Sequence, residues 1–323
     1  MKNKKKKLLI SIVTPCLNEE NNIDACYKEV KRVMSGLPNL DYEHIFCDND
    51  SSDKTVLKIK AIAKKDKKIK IIVHSRNFGA FASIFNGMLS ATGDAIIPML
   101  AADLQDPPNI IPKMIKLWQK GNKVVYGKRV DRKQGIIISF FRSVYYLLIE
   151  KTSNIKIDTN VGEFTLIDKE VQNALKEFDD YFPYLRGMIA SCGFKSAIVE
   201  YKWGIRNKGK TSATALALIN DGVNGLISFS NLPMRVCMFS GFLISALSIL
   251  YAIYSLIIVT WFPIQAAPGI SLLITSIFFF FGVTFLFLGI LGEYVSAIHF
   301  QVRKKPLVIE LERINFKKHK DSK

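Results

Sequence analysis

Two long stretches of this chain carry no charged residue: Val236 to Phe262 and Pro263 to Gly292. About 20 apolar residues are enough for a helix to cross the hydrocarbon core of a bilayer. Pro263, Pro268 and Gly269 divide the region, which predicts two membrane helices, about 236–262 and 270–292. Arg235 precedes the first span, and Arg303, Lys304 and Lys305 follow the second, while the loop between them is uncharged. The positive-inside rule then puts both termini, and everything ahead of the spans, in the cytoplasm. The expected location is the inner (cytoplasmic) membrane, as a multi-pass protein.

The part ahead of the spans alternates between two periods. Leu8–Thr14, an apolar, β-branched run, reads as a buried strand, and further strands are expected at Glu43–Cys47, Ile69–His74, Ile96–Leu100 and Lys123–Tyr126. Between them, Ile23, Cys26, Tyr27, Val30 and Met34 mark one helix face, and Phe81, Ile84, Phe85 and Met88 another. Further helices are expected over about 53–65 and 110–121. Such alternation predicts an α/β domain with a mainly parallel sheet. Pro98 removes a ladder donor from the fourth strand and marks an irregularity there.

After Arg132 the pattern changes. An apolar helix near 134–152, with Arg142 on it, belongs either to a core or to a membrane interface. The expected division is a basic tail over 1–7, an α/β domain over 8–212, a juxtamembrane helix over 213–234, the membrane region over 235–295 and a basic tail over 296–323.

Net charge is +17, from 45 Lys and Arg against 28 Asp and Glu. That balance calls for an anionic partner. Many of the 22 Phe residues lie in the last third, which favours lipid and phosphorylated substrates over nucleic acid. The five cysteines show no Cys-x-x-Cys spacing, so reduced, mostly buried thiols are expected. The lysines at Met1–Lys7 can add about 1 kcal/mol each near an anionic lipid surface.

Polar clusters end the consecutive strands: Pro15–Glu20, Asp48–Asp53, Arg76–Gly79 and Asp103–Pro108. In an open α/β sheet such ends share one edge, where ligands bind. Asp103, Gln105 and Asp106 offer hard oxygen ligands suited to Mg2+ or Mn2+. The other reading of this stretch is a polar turn that caps the helix opening at Pro107. No Gly-x-Gly-x-x-Gly follows the first strand and no Gly-x-x-x-x-Gly-Lys loop occurs, which excludes those two nucleotide-binding classes.

The motifs together carry a resemblance. They are Val13-Thr14-Pro15-Cys16-Leu17-Asn18-Glu19-Glu20, Asp48 through Thr55, Arg76-Asn77-Phe78-Gly79, Asp103-Leu104-Gln105-Asp106-Pro107-Pro108 and Tyr126-Gly127-Lys128-Arg129. Gly162-Glu163-Phe164, Arg206 through Ser212 and Leu291-Gly292-Glu293-Tyr294 continue them. In this order, and with two spans, the chain resembles family 2 glycosyltransferases of the polyprenyl-phosphate type, such as bactoprenol glucosyltransferases and dolichol-phosphate mannose synthases.

The resemblance implies a glycosyltransferase A-type fold and a set of roles. Asp103 and Gln105 would hold Mg2+ or Mn2+ on the donor diphosphate. Pro15, Leu17, Asn18, Glu19, Asp48, Asn49, Ser51, Arg76, Ala102 and Asp103 would line the nucleotide-sugar. Arg206, Lys208 and Lys210 would reach it from a loop. Arg129 and Arg142 would meet the acceptor phosphate, since a guanidinium pairs bidentately with oxyanions. Asp103, Arg129 and Glu163 would be catalytic. The expected reaction is inverting transfer of a sugar to polyprenyl phosphate at the cytoplasmic leaflet, with the bilayer as partner and oligomerisation left open.

Departures from the relatives' pattern qualify this expectation. Many relatives carry Asp-x-Asp where Ala101-Ala102-Asp103 stands, and Asp-Asp-Gly-Ser where Asp48-Asn49-Asp50-Ser51 stands. Glu163 replaces an Asp often cast as the base; here it is either a base, a residue that orients the sugar, or a surface glutamate. A non-catalytic scaffold of the same fold and a flippase component are the rival classes.

Overall fold

The structure, a computed structural model, describes residues 7–130, 161–178, 180, 183–204, part of 234–250, 269–303 and 305–316. The chain divides into two compact units. One comprises Met1–Ser143, Ile155–Leu218 and Lys305–Lys323; the other comprises Val144–Asn154 and Ile219–Lys304.

The first unit is built on β1 (Leu8–Cys16), β2 (Leu40–Asp48), β3 (Ile69–His74) and β4 (Ala95–Ile97). These four are parallel neighbours in the order β4-β1-β2-β3. Their central residues are buried on both faces, as a parallel sheet covered by helices demands. On one face Ile10, Ile12 and Phe46 pack with Ile23, Cys26, Val30 and Met34 of α1 (Ile23–Ser35) and Ile59 of α2 (Thr55–Lys65). The i, i+3, i+7 spacing of the α1 residues is what turns them all inward. On the other face, α3 (Ala80–Ser90) comes close enough that a Cβ on Gly87 would stand 2.4 Å from Val13 Cγ1 and 2.6 Å from Cys47 Sγ.

Beyond β4 the sheet is mixed, while remaining mainly parallel as expected. It continues through β6 (Val161–Asp168), antiparallel to both β4 and β5, to β5 (Val124–Val130) and β7 (Ser196–Lys202), which run parallel to each other. Helices α4 (Ile111–Gln119), α5 (Lys169–Lys176) and α6 (Leu185–Ser191) complete this half. On the far edge β8 (Glu310–Ile314) pairs antiparallel with β3. The full order is β7-β5-β6-β4-β1-β2-β3-β8, a mixed sheet of eight strands.

Strand boundaries differ from expectation at several ends: β1 runs on to Cys16 and β2 spans Leu40–Asp48. The fourth strand stops at Ile97, ahead of Pro98, which cannot donate to the ladder. The chain then swings back to β1 through Leu100 N–H, which donates to Val13 C=O at 2.8 Å. The fifth strand runs on past its expected end at Tyr126 to Val130, so Gly127, Lys128 and Arg129 lie within it.

In the second unit, α7 (Gly269–Val302) covers the second expected span and continues past its expected end at 292. Its segment Phe279–Val302 is the one described helix long and apolar enough to cross a membrane. Phe281, Phe285 and Leu286 are exposed on it, and bare phenyl rings on so apolar a helix suit lipid. Most of the first expected span, and the helices expected near 134–152 and 213–234, lie outside the described residues. Where a basic tail was expected over 296–323, α7 reaches Val302 and β8 rejoins the sheet of the first unit.

One buried histidine gives this fold a pH signature. His44 is fully buried in β2, its Nε2 lies 2.8 Å from Thr14 Oγ1, and its ring lies 4.1 Å from that of Phe46. Burial pushes its pKa down from 6.5 to about 3. The unfolded chain therefore takes up this proton near pH 6.5, and the folded chain does so only near pH 3. Stability from this group is complete above pH 6.5 and falls as the pH drops, by up to about 1.4 kcal/mol per unit. His44→Gln is expected to flatten the acid limb of the thermal midpoint measured against pH; an unchanged slope would count against the assignment.

Candidate functional site

Strand direction assembles the site. β1 to β4 bring their carboxyl ends to one edge of the sheet. β6 runs against them, so its amino end, with Gly162 and Glu163, arrives at that same edge. β8 does likewise with Glu310.

The loops after β1 and β2 are laced together. Pro15 and Cys16 are still in β1, and Leu17 starts the loop. Asn18 takes a positive φ of 56°, which Asn tolerates better than most residues. Its N–H donates to Ser51 Oγ at 2.9 Å and its Oδ1 accepts from Ser52 N–H at 2.9 Å. Glu19 N–H donates to Thr55 Oγ1 at 2.8 Å. These bonds fix the approach of the two loops before any ligand arrives.

Asp48 sits at the bottom of this lacing, fully buried. Its Oδ2 accepts from Ser51 N–H at 3.0 Å, whereas its buried Oδ1 has no hydrogen-bond partner among the described residues. Burial pushes its carboxyl above the ordinary range, the Ser51 hydrogen bonds oppose this, and the charge of Asp53 adds to the rise. A buried acceptor left open is costly, which makes Asp48 Oδ1 a candidate to receive a donor group from a ligand.

Asn49 is also buried, but its side chain is committed inward. Oδ1 accepts from Phe78 N–H at 3.0 Å and Nδ2 donates to Asn77 Oδ1 at 2.7 Å. It joins the β2 loop to the β3 loop. Arg76 lies over the Phe78 ring at 4.1 Å and donates to Asn77 C=O at 3.2 Å.

The loop after β4 is tightly turned. Leu104 holds a positive φ of 60°, a strain on the order of 1–2 kcal/mol for a branched side chain. Three bonds secure it: Leu104 N–H to Ala101 C=O at 3.2 Å, Gln105 N–H to Asp103 Oδ1 at 3.1 Å, and Gly204 N–H to Gln105 C=O at 2.8 Å. Ala102 and Asp103 are buried, and the charge of Asp103 reaches the Cys26 thiol of α1. Among the described residues no group of three His, Cys, Asp or Glu side chains converges. One carboxylate and one amide are the right chemistry for a hard cation, which would take its other ligands from a bound phosphate and from water.

The alternative reading of Asp106 as a helix cap does not hold. The turn at Pro108–Ile110 has no side-chain cap. Instead Asp106 is buried against Arg129: Nη2 donates to its two oxygens at 3.0 and 3.1 Å, and Nε donates to Oδ1 at 3.2 Å. Tyr201 of β7 donates its hydroxyl to the same Oδ1, and accepts from Arg129 Nε at 3.1 Å. Trp203 flanks the guanidinium at 4.8 Å from its ring centre. Gly162 makes room for it, since a Cβ there would stand 3.3 Å from Arg129 Nε.

Glu163 follows Gly162 and is half-buried. Burial pushes its carboxyl above the ordinary carboxylate range, against the pull of Arg186 and Arg129, with Asp106 adding to the rise. Arg186 of α6 donates to Val161 C=O at 2.9 Å and to the Tyr184 hydroxyl.

Asp103, Glu163, Arg129, Asp48 and the Pro15–Glu19 loop thus belong to one edge of one sheet. Arg142, Arg206, Lys208 and Lys210 lie outside the described residues. Sequence reasoning missed Tyr201, Trp203 and Arg186 as members of the Arg129 and Glu163 surroundings. They come from a region that read as ordinary globular composition, and only strand pairing carries β7 to the side of β5.

A family model described as glycosyl transferase family 2 matches residues 11–175. An uncharacterized glycosyltransferase of Synechocystis sp. (strain ATCC 27184 / PCC 6803 / Kazusa) is 33% identical over 301 residues, spanning 93% of this chain and 94% of that relative. The prophage bactoprenol glucosyl transferase homolog of Escherichia coli (strain K12) is 34% identical over 301 residues, spanning 93% and 97%. A bactoprenol glucosyl transferase of Shigella phage SfII is 34% identical over 303 residues, spanning 93% and 96%.

Proposed function

The chain belongs to glycosyl transferase family 2 and is a glycosyltransferase; from that premise we propose that it moves a sugar from a nucleotide-sugar to polyprenyl phosphate, with inversion, at the cytoplasmic leaflet. The observation that carries this reading is the shared edge. The open acceptor of buried Asp48, the Asp103 loop and Glu163 all lie there, close to the basic strand end at Arg129. The apolar helix α7 and the names of the bactoprenol relatives support a lipid acceptor.

In this reading Asp48 Oδ1 accepts an N–H of the nucleoside base, and the laced loops at Asn18 and Ser51 flank the nucleoside. Asp103 and Gln105 would hold a divalent cation, which neutralises charge on the departing diphosphate. An oxygen of the lipid phosphate attacks the anomeric carbon from the face opposite the leaving group. A phosphate monoester has its second pKa at about 6, so near neutral pH the nucleophile is already largely ionised. Glu163 then has little need to act as a base and serves better to orient the sugar. Arg129, whose Nε and Nη2 are held by Asp106 and Tyr201, would meet the acceptor phosphate through its remaining Nη1.

The test uses the full chain in detergent or nanodiscs with polyprenyl phosphate and a panel of nucleotide-sugars. The expected product is polyprenyl phosphate heavier by one sugar, with release of nucleoside diphosphate. No glycolipid from any donor would overturn the reading.

A further inference from the structure

We infer that His74 is a positioning residue for the nucleotide-sugar, linking the loop after β2 to the C-terminal strand β8; this rests on the proposed donor site. His74 ends β3 and is fully buried, with an asparagine on each ring nitrogen. Its Nδ1 lies 3.2 Å from Asn49 Oδ1, and its Nε2 lies 3.2 Å from Asn86 Nδ2. Asn86 Nδ2 also donates to Glu310 Oε1 at 2.7 Å. The carboxylate can only accept, which fixes how the Asn86 amide faces. Nε2 of His74 therefore accepts, its proton sits on Nδ1, and Nδ1 donates to Asn49.

The relay has an anchor at each end. Glu310 is gripped by Arg313, whose Nη2 donates to Oε1 at 2.7 Å, and it stands opposite His74 where the β3–β8 register shifts. Asn49 passes the constraint to Asn77 and Phe78, and Asn77 Oδ1 accepts from Gly79 N–H at 2.9 Å. Asp48, with its open acceptor, is the residue directly before Asn49. Asn49 is thus a brace for the donor pocket, and the brace is held from a strand that follows the apolar helix α7 in sequence. Loss of the relay should loosen donor binding and leave the transfer step itself untouched.

Two positions test this. His74→Phe removes both ring hydrogen bonds. Glu310→Ala removes the far anchor from the sheet edge while the β3–β8 backbone pairing remains, and Glu310→Gln keeps an acceptor for Asn86. Calorimetry on the full chain with UDP, GDP, ADP and dTDP in Mg2+ reads binding, and steady-state kinetics separates KM from kcat. The wild type is expected to bind at least one nucleotide. His74→Phe and Glu310→Ala should weaken that binding, and raise the donor KM, by about tenfold, the scale of one buried hydrogen bond. The kcat and the KM for polyprenyl phosphate should stay near wild type, and Glu310→Gln should bind nearly as well as wild type. Equal binding by the Ala and Gln variants of Glu310 overturns the inference and leaves the donor site standing, even if His74→Phe fails to fold. A wild type that binds none of the nucleotides overturns the donor reading itself.

Discussion

Asp106→Ala is expected to lose both transfer activity and several kcal/mol of stability. The side chain of Asp106 is 2% exposed and that of Arg129 18%, so neither charge has much access to water. Removing one partner of such a pair leaves the other buried and uncompensated, at a cost of about 3–5 kcal/mol. Tyr201 also loses the acceptor for its hydroxyl, and Arg129 loses the brace that aims it. Asp106→Asn keeps the shape but not the charge and should fall between. Arg129→Met in the Ala background removes the stranded cation, so the double variant should unfold at a higher temperature than Asp106→Ala alone. Thermal midpoints and transfer rates of the four proteins decide the matter. A midpoint for Asp106→Ala within a degree of wild type would mean that the Asp106–Arg129 pair adds nothing to the stability of the fold.

Asp103→Asn is expected to lower transfer by two orders of magnitude or more. The sole carboxylate in the segment Ala101-Ala102-Asp103 is Asp103, and it is buried in a loop whose backbone is held in a strained turn. If a divalent cation binds there, it supplies several kcal/mol of charge stabilisation, and about 1.4 kcal/mol is a factor of ten in rate. EDTA should silence the wild type and added Mg2+ or Mn2+ should restore it. Mn2+ binding measured by electron paramagnetic resonance, in the presence of a nucleoside diphosphate, should be lost in the Asn variant. Ala101→Asp, which supplies the second carboxylate, should bind Mn2+ more tightly or equally. Full activity in EDTA, or in Asp103→Asn, would remove the cation from this site and shift charge neutralisation to the basic residues at Arg206, Lys208 and Lys210.

The parallel half of the sheet was legible in the chain because its signals are local. Leu8–Thr14 and Ile69–His74 are β-branched runs, and Ile23 through Met34 repeat at helical spacing. Such runs declare their own period, and alternation of the two periods implies parallel strands whose ends share an edge. The polar clusters at those ends, and so Asp48 and Asp103, followed directly. The apolar helix α7 was equally plain, since length and absence of charge are properties of one segment.

Tertiary structure alone decided the rest. Nothing within Val161–Asp168 reveals that this strand runs antiparallel between β4 and β5, yet that direction is what brings Glu163 to the site. Asp106 reads from the chain either as an oxygen ligand or, because Pro107 follows it, as a helix cap. Its actual partners, Arg129 and Tyr201, stand 23 and 95 residues away, and only the β5–β7 pairing unites them. Glu310 read as part of a tail until β8 closed the edge beside His74. Local period follows from backbone geometry that each segment carries with it. Strand order, strand direction and the pairing of buried charges depend on which surfaces meet across the chain, and those are settled only when the whole sheet is assembled.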